Sequence, residues 1–384
     1  MFRRFQRSPV PAEESTSPKP NVVVIGGSYV GGAVVDSLAS SLYRTHNIVL
    51  IEKNSHFQHL FAFPRVSVVP GFENRAFIPF TNAFHGSPPG STSVVHAIVE
   101  EVLPGKVVLD NGTGRPGRLV SYEKAVETRR FRDIQEGISK ARHITVIGGG
   151  AYGVQTATDI KDHDPSKKVT VIHSRPNLMS RFHPKLHEIV MEKFKAVGIE
   201  AILGQRVTIP EGGFPNDGSE FVISLANGKE VKTELAIVCI GAVPLSAPLL
   251  SLSPSSVDPQ TKYIKVRPTL QIADPDYPNV FAVGDVADTG AHKAARPGGT
   301  QARIAAYNIE KLVQGRDSDL QAYYPDTGGI GLSLGFVRFR NPSTPGGEPS
   351  WRQGFKPFKT KGNMDAGCRK MWDRRAPGVK DYDL

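Results

Sequence analysis

Cysteine and long apolar runs are both scarce in this 384-residue chain. Its two cysteines, Cys239 and Cys368, are too far apart for a CxxC or CxxxxC redox pair and too few for a disulfide scaffold or a cysteine-rich zinc site. The longest apolar run, residues 235–245, is interrupted by Gly241 and Pro244, and it is shorter than the roughly 20 residues of a membrane-spanning helix. These absences exclude dithiol chemistry within the chain and a transmembrane role for this run.

Positive charge is concentrated near the end of the chain. Lys and Arg number 47 against 37 acidic residues, a formal net charge of +10. Residues 331–384 hold eleven basic and five acidic residues, so six of the ten excess charges lie there. The rest of the chain is only mildly basic, and its charge is weak evidence for nucleic-acid binding.

One strand–turn–helix–strand pattern occurs twice. The first copy reads NVVVI, GGSYVGG, AVVDSLASSLYR and NIVLIE, and the second reads HITVI, GGGAYG, VQTATDIKDHD and KKVTVIH. All-apolar, β-branched strands of this kind are typical of parallel sheets that are buried on both faces. The pattern predicts an α/β fold with two interleaved Rossmann-like dinucleotide-binding domains.

The first glycine-rich turn is typical of a dinucleotide site. Gly26 permits the tight turn, and Gly31 permits close packing of the helix on the strand. Glu52, at the end of the second strand, stands where a carboxylate accepts hydrogen bonds from an adenosine ribose. Ser28 replaces the second motif glycine, and its side chain is small. The alternative is a structural turn without ligand. The predicted binding residues of the turn itself are Gly26, Gly27, Ser28, Tyr29, Val30 and Gly31.

The second turn has all three motif glycines, Gly148, Gly150 and Gly153. The strand that follows ends near His173 and Arg175 and has no ribose-binding acid. Without a carboxylate to repel a 2′-phosphate, and with Arg175 able to reach one, this half should accept NADPH at least as well as NADH. His173 is either a ligand or a passive residue at the strand end.

A third motif, VFAVGDVA, covers residues 280–287. Together with GGSYVGG, IVLIEK, HITVIGGGAYGVQ and VTVIHS, it resembles the FAD- and NAD(P)-dependent pyridine nucleotide oxidoreductases. The segments HFQHLFAFPRVSVVPGF and AVGDVAD followed by HKAA are similar to the apoptosis-inducing-factor-like branch, which includes the ferroptosis suppressor protein. The resemblance covers roughly residues 21–335 and implies that FAD and NADPH or NADH are the cofactors.

The resemblance also implies contacts for particular residues. Arg65 would neutralise pyrophosphate charge, and Val95 would line the FAD pocket. Gly284 and Asp285 would hold the ribityl end, with capping of the next helix as the alternative for Asp285. Lys293 would lie near the flavin. The nicotinamide cofactor's pyrophosphate would rest on Gly148, Gly150 and Gly153, and no catalytic side chain is implied.

These positions predict a flexible tail over residues 1–20 and a discontinuous FAD-binding domain over residues 21–140 and 266–330. The NAD(P)H-binding domain is expected over residues 141–265, followed by a basic, aromatic extension over residues 331–384.

Outside the two copies, residues 92–109 read as β-hairpin material with a turn at residues 104–105. Helices are predicted at residues 185–196 and 301–314, and a strand at residues 279–283.

One departure from the family affects the flavin site. Residues 122–128 are expected to begin a strand that ends in ATG in the family, but here the chain runs directly into a short helix. The loop that closes over FAD is therefore absent or shortened. Two functions remain open. The first is a flavoprotein that passes electrons from NAD(P)H through FAD to a quinone or protein acceptor. The second is a non-enzymatic NAD(P)H-binding signalling protein with impaired FAD binding.

The extension interleaves aromatic residues (Trp351, Phe355, Phe358 and Trp372) with basic ones. We expect it to pack on the flavin domain, with peripheral membrane contact as an alternative and nucleic-acid contact least favoured. The N-terminus begins Arg-rich, as mitochondrial presequences do, but prolines and acids interrupt it. A cytoplasmic location is expected, with mitochondria as the alternative.

Overall fold

A computed structural model describes residues 18–110, 122–325, 330–335, 337–340, 356–357 and 364–384. The helices in these ranges are α1 (Tyr29–Leu42), α2 (Phe63–Val66), α3 (Lys124–Lys140), α4 (Ala151–His163), α5 (Pro184–Val197), α6 (Ala295–Val313) and α7 (Cys368–Arg375). The strands are β1 (Asn21–Ile25), β2 (Asn47–Glu52), β3 (His56–Gln58), β4 (Phe77–Pro79), β5 (Thr92–His96), β6 (Ile98–Leu103), β7 (Lys106–Asp110), β8 (His143–Ile147), β9 (Lys168–His173), β10 (Ile199–Leu203), β11 (Phe221–Ser224), β12 (Glu230–Thr233), β13 (Leu235–Val238), β14 (Ile264–Lys265), β15 (Ala287–Asp288), β16 (Gly331–Leu334), β17 (Val337–Arg340) and β18 (Lys356–Pro357).

The first glycine-rich turn belongs to a parallel sheet with the strand order β1-β2-β5. Helix α1 buries an apolar stripe that includes Val35 and Leu38, because apolar residues recur at helical spacing along it. This stripe packs against Ile48 and Leu50 of β2 and against Ala302 of α6. The turn between β1 and α1 therefore sits on a rigid base.

The second turn belongs to a four-stranded parallel sheet with the order β10-β9-β8-β13. Its core is built from β-branched strand residues such as Ile144 and Val171, together with Val154 of α4 and Phe194 of α5. The two sheets with their helices confirm the predicted α/β architecture with parallel strands.

Residues 92–110 form two structures rather than one hairpin. β5 joins the first sheet in parallel with β2, and only β6 and β7 form an antiparallel hairpin. The turn falls at residues 104–105 as predicted, where Gly105 adopts a φ of +73°. The hairpin prediction was thus right for the second half of the segment and wrong for the first.

Helix α3 occupies the region in which a strand was predicted over residues 122–128, so that prediction was wrong. Ion pairs at helical spacing support the helix: Arg129 with Asp133, and Lys140 with Glu136. Phe131 is buried on the inward face of the same helix. Apolar residues at a spacing of 3.6, supported by these ion pairs, favour a helix more strongly than the short β-like run at residues 122–128 favours a strand.

Residues 279–283, for which a strand was predicted, form an isolated bridge rather than an extended ladder. Their one bridge joins Phe281 to Gln271. By contrast, the predicted helices at residues 185–196 and 301–314 correspond to α5 and α6.

Helix α7, at the end of the basic extension, packs against strands β3 and β4. Trp372 of α7 is 2% exposed, lies beside Phe57 and Ile78, and donates its indole N–H to the Arg75 carbonyl at 2.8 Å. Trp372 is therefore not available to a membrane. Trp351, Phe355 and Phe358 lie outside the described residues. Among the helices described, none combines the length and apolarity needed to cross a bilayer.

Candidate cofactor-binding site

A single cavity of about 2300 Å³ opens between the two glycine-rich turns. Ten of the predicted residues line it: Gly26, Ser28, Gly31, Glu52, Gly148, Gly150, His173, Arg175, Asp285 and Lys293. The carboxyl ends of β1 and β8 both point toward this space, which is where α/β folds bind ligands.

In the first turn, Gly26 has a φ of +97°, a conformation that favours glycine. A Cβ on Gly31 would lie 1.8 Å from the Gly26 carbonyl oxygen, so no larger residue fits there. Ser28 precedes α1 without capping it, and the first turn of α1 holds no acidic residue. The N–H groups at this helix end are therefore suited to an anionic group.

Glu52 braces the same turn. Its side chain is 6% exposed and accepts a short hydrogen bond from the Gly27 main-chain N–H. Its other carboxylate oxygen accepts from Asn54, through the main-chain N–H at 2.8 Å and the side-chain amide at 2.6 Å. A carboxylate has lone pairs beyond these bonds, so Glu52 can still accept from a ribose hydroxyl at the cavity wall.

The second turn repeats this geometry. Gly148 has a φ of +126°, and a Cβ on Gly153 would lie 1.9 Å from the Gly148 carbonyl oxygen. Gly150 precedes α4, again with no side-chain cap. Both turns therefore present an uncapped helix N-terminus to the cavity, and the residues present fit a dinucleotide at each.

His173 takes the place that Glu52 has in the first turn. Its Nδ1 accepts the Gly149 main-chain N–H at 3.1 Å, which assigns the ring proton to Nε2. Burial, and then the Arg175 charge, lower the pKa of His173, so the ring is neutral at pH 7. Nε2 is buried, and the Asn177 main chain beside the ring partly opposes the lowering of the pKa. His173 is thus a built part of the turn, and it adds no negative charge.

The loop after residues 279–283 brings Asp285 and Lys293 to the cavity. Burial raises the pKa of Asp285 and lowers that of Lys293, and each charge partly offsets the other's shift. The Gly284 N–H donates to Gln301 Oε1 at 2.8 Å. Sequence reasoning missed Gln301, because nothing in the pattern of α6 distinguishes this amide from Asn308 on the same helix.

Lys293 is held from two sides. Its ammonium group donates a short hydrogen bond to the Ala287 carbonyl and lies 4.4 Å from the centre of the Tyr263 ring. These contacts fix the charge at the cavity wall.

Arg65 is not at the cavity, which corrects the expectation that it faces a pyrophosphate. Its buried guanidinium forms a two-pronged ion pair with Asp159 of α4, with both N···O distances 2.9 Å, and donates to the Gly335 carbonyl at 2.9 Å. Val95 also lies away from the cavity lining and packs near Ile51. The positions of Arg65 and Val95 depend on contacts with segments that are remote in sequence. A linear motif does not report such contacts.

Tyr29 and Val30 support the first turn from behind. The Tyr29 hydroxyl bonds to His59 Nδ1 at 2.5 Å, and its ring packs edge-on against Phe57. Val30 contacts Gly284, where an added Cβ would lie 3.2 Å from its side chain. Neither side chain lines the cavity.

Known proteins share these features. The model of the family described as pyridine nucleotide-disulphide oxidoreductase matches residues 107–307. Fe-regulated protein 8 of Mycosarcoma maydis is 32% identical, covering 94% of this chain and 96% of that protein. The chain belongs to the pyridine nucleotide-disulphide oxidoreductase family.

Within this family, the chain is similar to proteins of the apoptosis-inducing-factor-like branch. Ferroptosis suppressor protein 1 of Homo sapiens is 30% identical, covering 82% of this chain and 86% of that protein. Apoptosis-inducing factor homolog B of Dictyostelium discoideum is 28% identical over 83% of this chain and 88% of its own length. These relatives confirm the resemblance drawn from the motifs.

Among solved structures, the sulfide:quinone oxidoreductase of Aquifex aeolicus has a TM-score of 0.68 at 19% identity, covering 94% of this chain and 93% of that one. A Bacillus anthracis CoADR-RHD structure has a TM-score of 0.65 at 19% identity, covering 85% of this chain and 62% of that one. At this identity the likeness shows the pyridine nucleotide oxidoreductase fold alone. The family membership adds NAD(P)H-dependent oxidoreductase chemistry.

Proposed function

We propose that this chain is a flavoprotein that binds FAD at the first glycine-rich turn and NADPH or NADH at the second, and that passes electrons to a quinone or another acceptor. The observation that carries the proposal is that two matched helix N-termini, each preceded by a turn that only glycine permits, open on one cavity. Hydride donor and flavin would therefore share one cavity.

Each residue has a defined task in this scheme. The N–H groups before α1 would hold the FAD pyrophosphate, and Glu52 would accept from its adenosine ribose. Asp285 and Lys293 would hold the flavin end. Bound FAD supplies the redox chemistry, accepting hydride and releasing electrons, so the chain needs no acid–base pair of its own.

The nicotinamide half is suited to either cofactor. His173 adds no negative charge to the cavity wall, and Arg175 lines the same wall, where it donates to Ser180 at 2.9 Å. With no carboxylate to repel a 2′-phosphate, binding of NADPH is expected to equal or exceed that of NADH.

The acceptor is expected to come from outside the chain. Burial raises the pKa of Cys239 to about 12, so it stays a thiol, and burial likewise raises the pKa of Cys368 to about 12. Ile240, Val243 and Leu245 line the cavity with more than half of each side chain exposed. An apolar ring such as a quinone would cover this surface.

Visible spectra of two glycine variants test the proposal. After incubation with FAD and removal of unbound FAD by gel filtration, each protein is examined for bound flavin. The parent chain should be yellow and should reduce ferricyanide or a quinone with NAD(P)H. Gly31→Val should be colourless yet still bind NAD(P)H. The matched Gly153→Val variant should be yellow and reducible by dithionite, but not by NAD(P)H.

A colourless parent chain, even after FAD is added, would refute the flavoprotein proposal. So would a yellow Gly31→Val protein, because the valine Cβ would overlap the Gly26 carbonyl.

A second function is favoured by one observation, the exposure of β1. Val23 and Ile25 are 40% and 50% exposed, which is unusual for an apolar strand beside a cofactor turn. If the exposure of β1 weakens FAD binding, the chain would act as an NAD(P)H-binding signalling protein. A colourless protein that still quenches or enhances NADPH fluorescence would support this alternative.

A cytoplasmic location remains our proposal, with peripheral membrane contact through the part of the extension before α7. Vesicle flotation of the full chain, with and without anionic lipid, tests the membrane contact.

A further inference from the structure

Strand β1 is paired along one edge only. All five of its residues pair with β2, and among the described residues no main-chain hydrogen bond reaches its other edge. Instead, residues 21–25 all line the large cavity. Among the described residues, this edge therefore has main-chain N–H and C=O groups without a ladder partner.

Residues 279–283 form the opposite wall. They also line the cavity, and their other side is already occupied: Ile272 N–H donates to Val280 O at 2.9 Å, and Ala282 N–H donates to Leu270 O at 3.0 Å. The next residue, Gly284, lies against Val30, which follows β1 closely. The carboxyl ends of both walls thus meet, so the walls run in the same direction.

The gap between these walls is covered by apolar groups on both faces. Val22 and Val24 lie on the face that packs against α1 and α6. Val23 and Ile25 lie on the other face, in register with Val49 and Ile51, which pack toward the β6–β7 hairpin.

Side chains from the elements on both faces reach the gap between the walls. Val34 of α1 and Ile309 of α6 line the cavity from one face, and Val99 and Val102 of β6 line it from the other. These covering residues and both walls are uncharged, so a charged occupant would be buried without a partner.

We propose that this gap accepts a strand from a second polypeptide: about five extended, uncharged, mainly β-branched residues that run parallel to β1. A peptide main chain offers donors and acceptors on both edges at the ~4.8 Å spacing of neighbouring strands, which neither a lipid tail nor a planar ring does. Its alternate side chains would meet α1 and α6 on one face and β6 on the other. The added strand would continue the existing parallel sheet of β1, β2 and β5.

A labelled peptide tests this directly. A fluorescent peptide with five alternating valines and isoleucines between lysine-rich ends is titrated with the full chain, and anisotropy is recorded. The control peptide carries proline at the central position, which removes an N–H and cannot continue a ladder. We expect saturable binding of the first peptide and affinity lower by about tenfold or more for the second.

Two matched variants place the site. Val23 and Val222 are 40% and 45% exposed, and only Val23 lines the gap. Val23→Asp should lower peptide affinity by about tenfold or more because it buries a charge beside the added strand, whereas Val222→Asp should leave affinity within about twofold. As a measurement on the parent chain alone, the valine–isoleucine peptide should raise the thermal midpoint and the proline peptide should not.

Equal binding of both peptides, or equal loss in both variants, would overturn the inference. Displacement of the peptide by a short-chain quinone or a fatty acid, with no change in thermal midpoint on peptide addition, would show an apolar ligand pocket instead. Absence of peptide binding to the parent chain would likewise refute a strand-acceptor site.

Discussion

The ion pair between Arg65 and Asp159 provides the sharpest test of how the two halves are held together. Both side chains are at most 5% exposed, and the guanidinium engages both carboxylate oxygens at 2.9 Å. Asp159→Asn keeps the shape of the side chain but removes its charge. Arg65 would then keep its hydrogen bond to the Gly335 carbonyl but would lose the buried negative charge that balances its own.

The expected cost follows from the burial of that cation. Breaking one side of a buried pair costs about 3–5 kcal/mol, because the remaining charge loses its partner. For a chain of this length the unfolding entropy is about 0.8 kcal/mol per kelvin, so the midpoint should fall by roughly 4–6 °C. Replacing both residues, as in Arg65→Met with Asp159→Leu, should cost less than the single change.

The pH dependence gives a second signature. Burial raises the pKa of Asp159 to about 6, against the opposing effect of Arg65. The folded state therefore takes up this proton more readily than the unfolded state, and this group favours folding as the pH falls from about 6 toward 4. Because Asp159→Asn lacks this titration, the stability of the parent relative to that variant should rise as the pH falls from about 6 toward 4.

Thermal and urea unfolding measure these effects, with Glu234→Gln as the control. Glu234 pairs with Arg142, whose side chain is 92% exposed, so water screens this pair and its loss should cost far less than the loss of the Arg65–Asp159 pair. A cost for Asp159→Asn as small as that of the control would refute the reasoning.

Three further predictions concern the site, the pH response and the extension. His173→Glu should raise the KM for NADPH by about tenfold or more and change that for NADH by less than about twofold, since a carboxylate repels the 2′-phosphate; equal effects would argue against this position. Burial, and then the Lys124 charge, lower the pKa of His56 to about 4 from 6.5, so the neutral form favours folding and stability should fall by roughly 1 kcal/mol as the pH drops from 6.5 toward 4. His56→Asn should flatten that slope in urea titrations, and an unchanged slope would contradict it. Trp372→Ala should cost about 3–5 kcal/mol in urea unfolding, whereas Tyr324→Ala, at a side chain 77% exposed, should cost little; a similar cost for both would show that α7 does not pack as described.

Local features of the two turns could be predicted from sequence. Gly31 and Gly153 stand where a Cβ would meet a carbonyl within 2 Å, and such positions leave a fixed glycine spacing in the sequence. The apolar strands beside them are equally legible, because burial on both faces removes polar residues.

Other parts of the site were predicted wrongly or missed. The segment at the start of α3 has strand-like residues, but burial of one apolar face of the helix, which includes Phe131 and Ile138, favours the helical conformation. Gln301 was missed because its role is set by Gly284, a residue 17 positions away. Single-segment patterns do not report such partners.

Glycine spacing and strand burial are local properties, and from them the amino-acid sequence predicts two dinucleotide-type turns on parallel sheets. The pairing of groups across the chain could be read only from the folded protein. Arg65 meets Asp159, 94 positions away, and β1 keeps one open edge because no described strand lies beside it. Ion pairing and strand pairing depend on which remote segments the fold brings into contact, and those contacts exist only once the chain has folded.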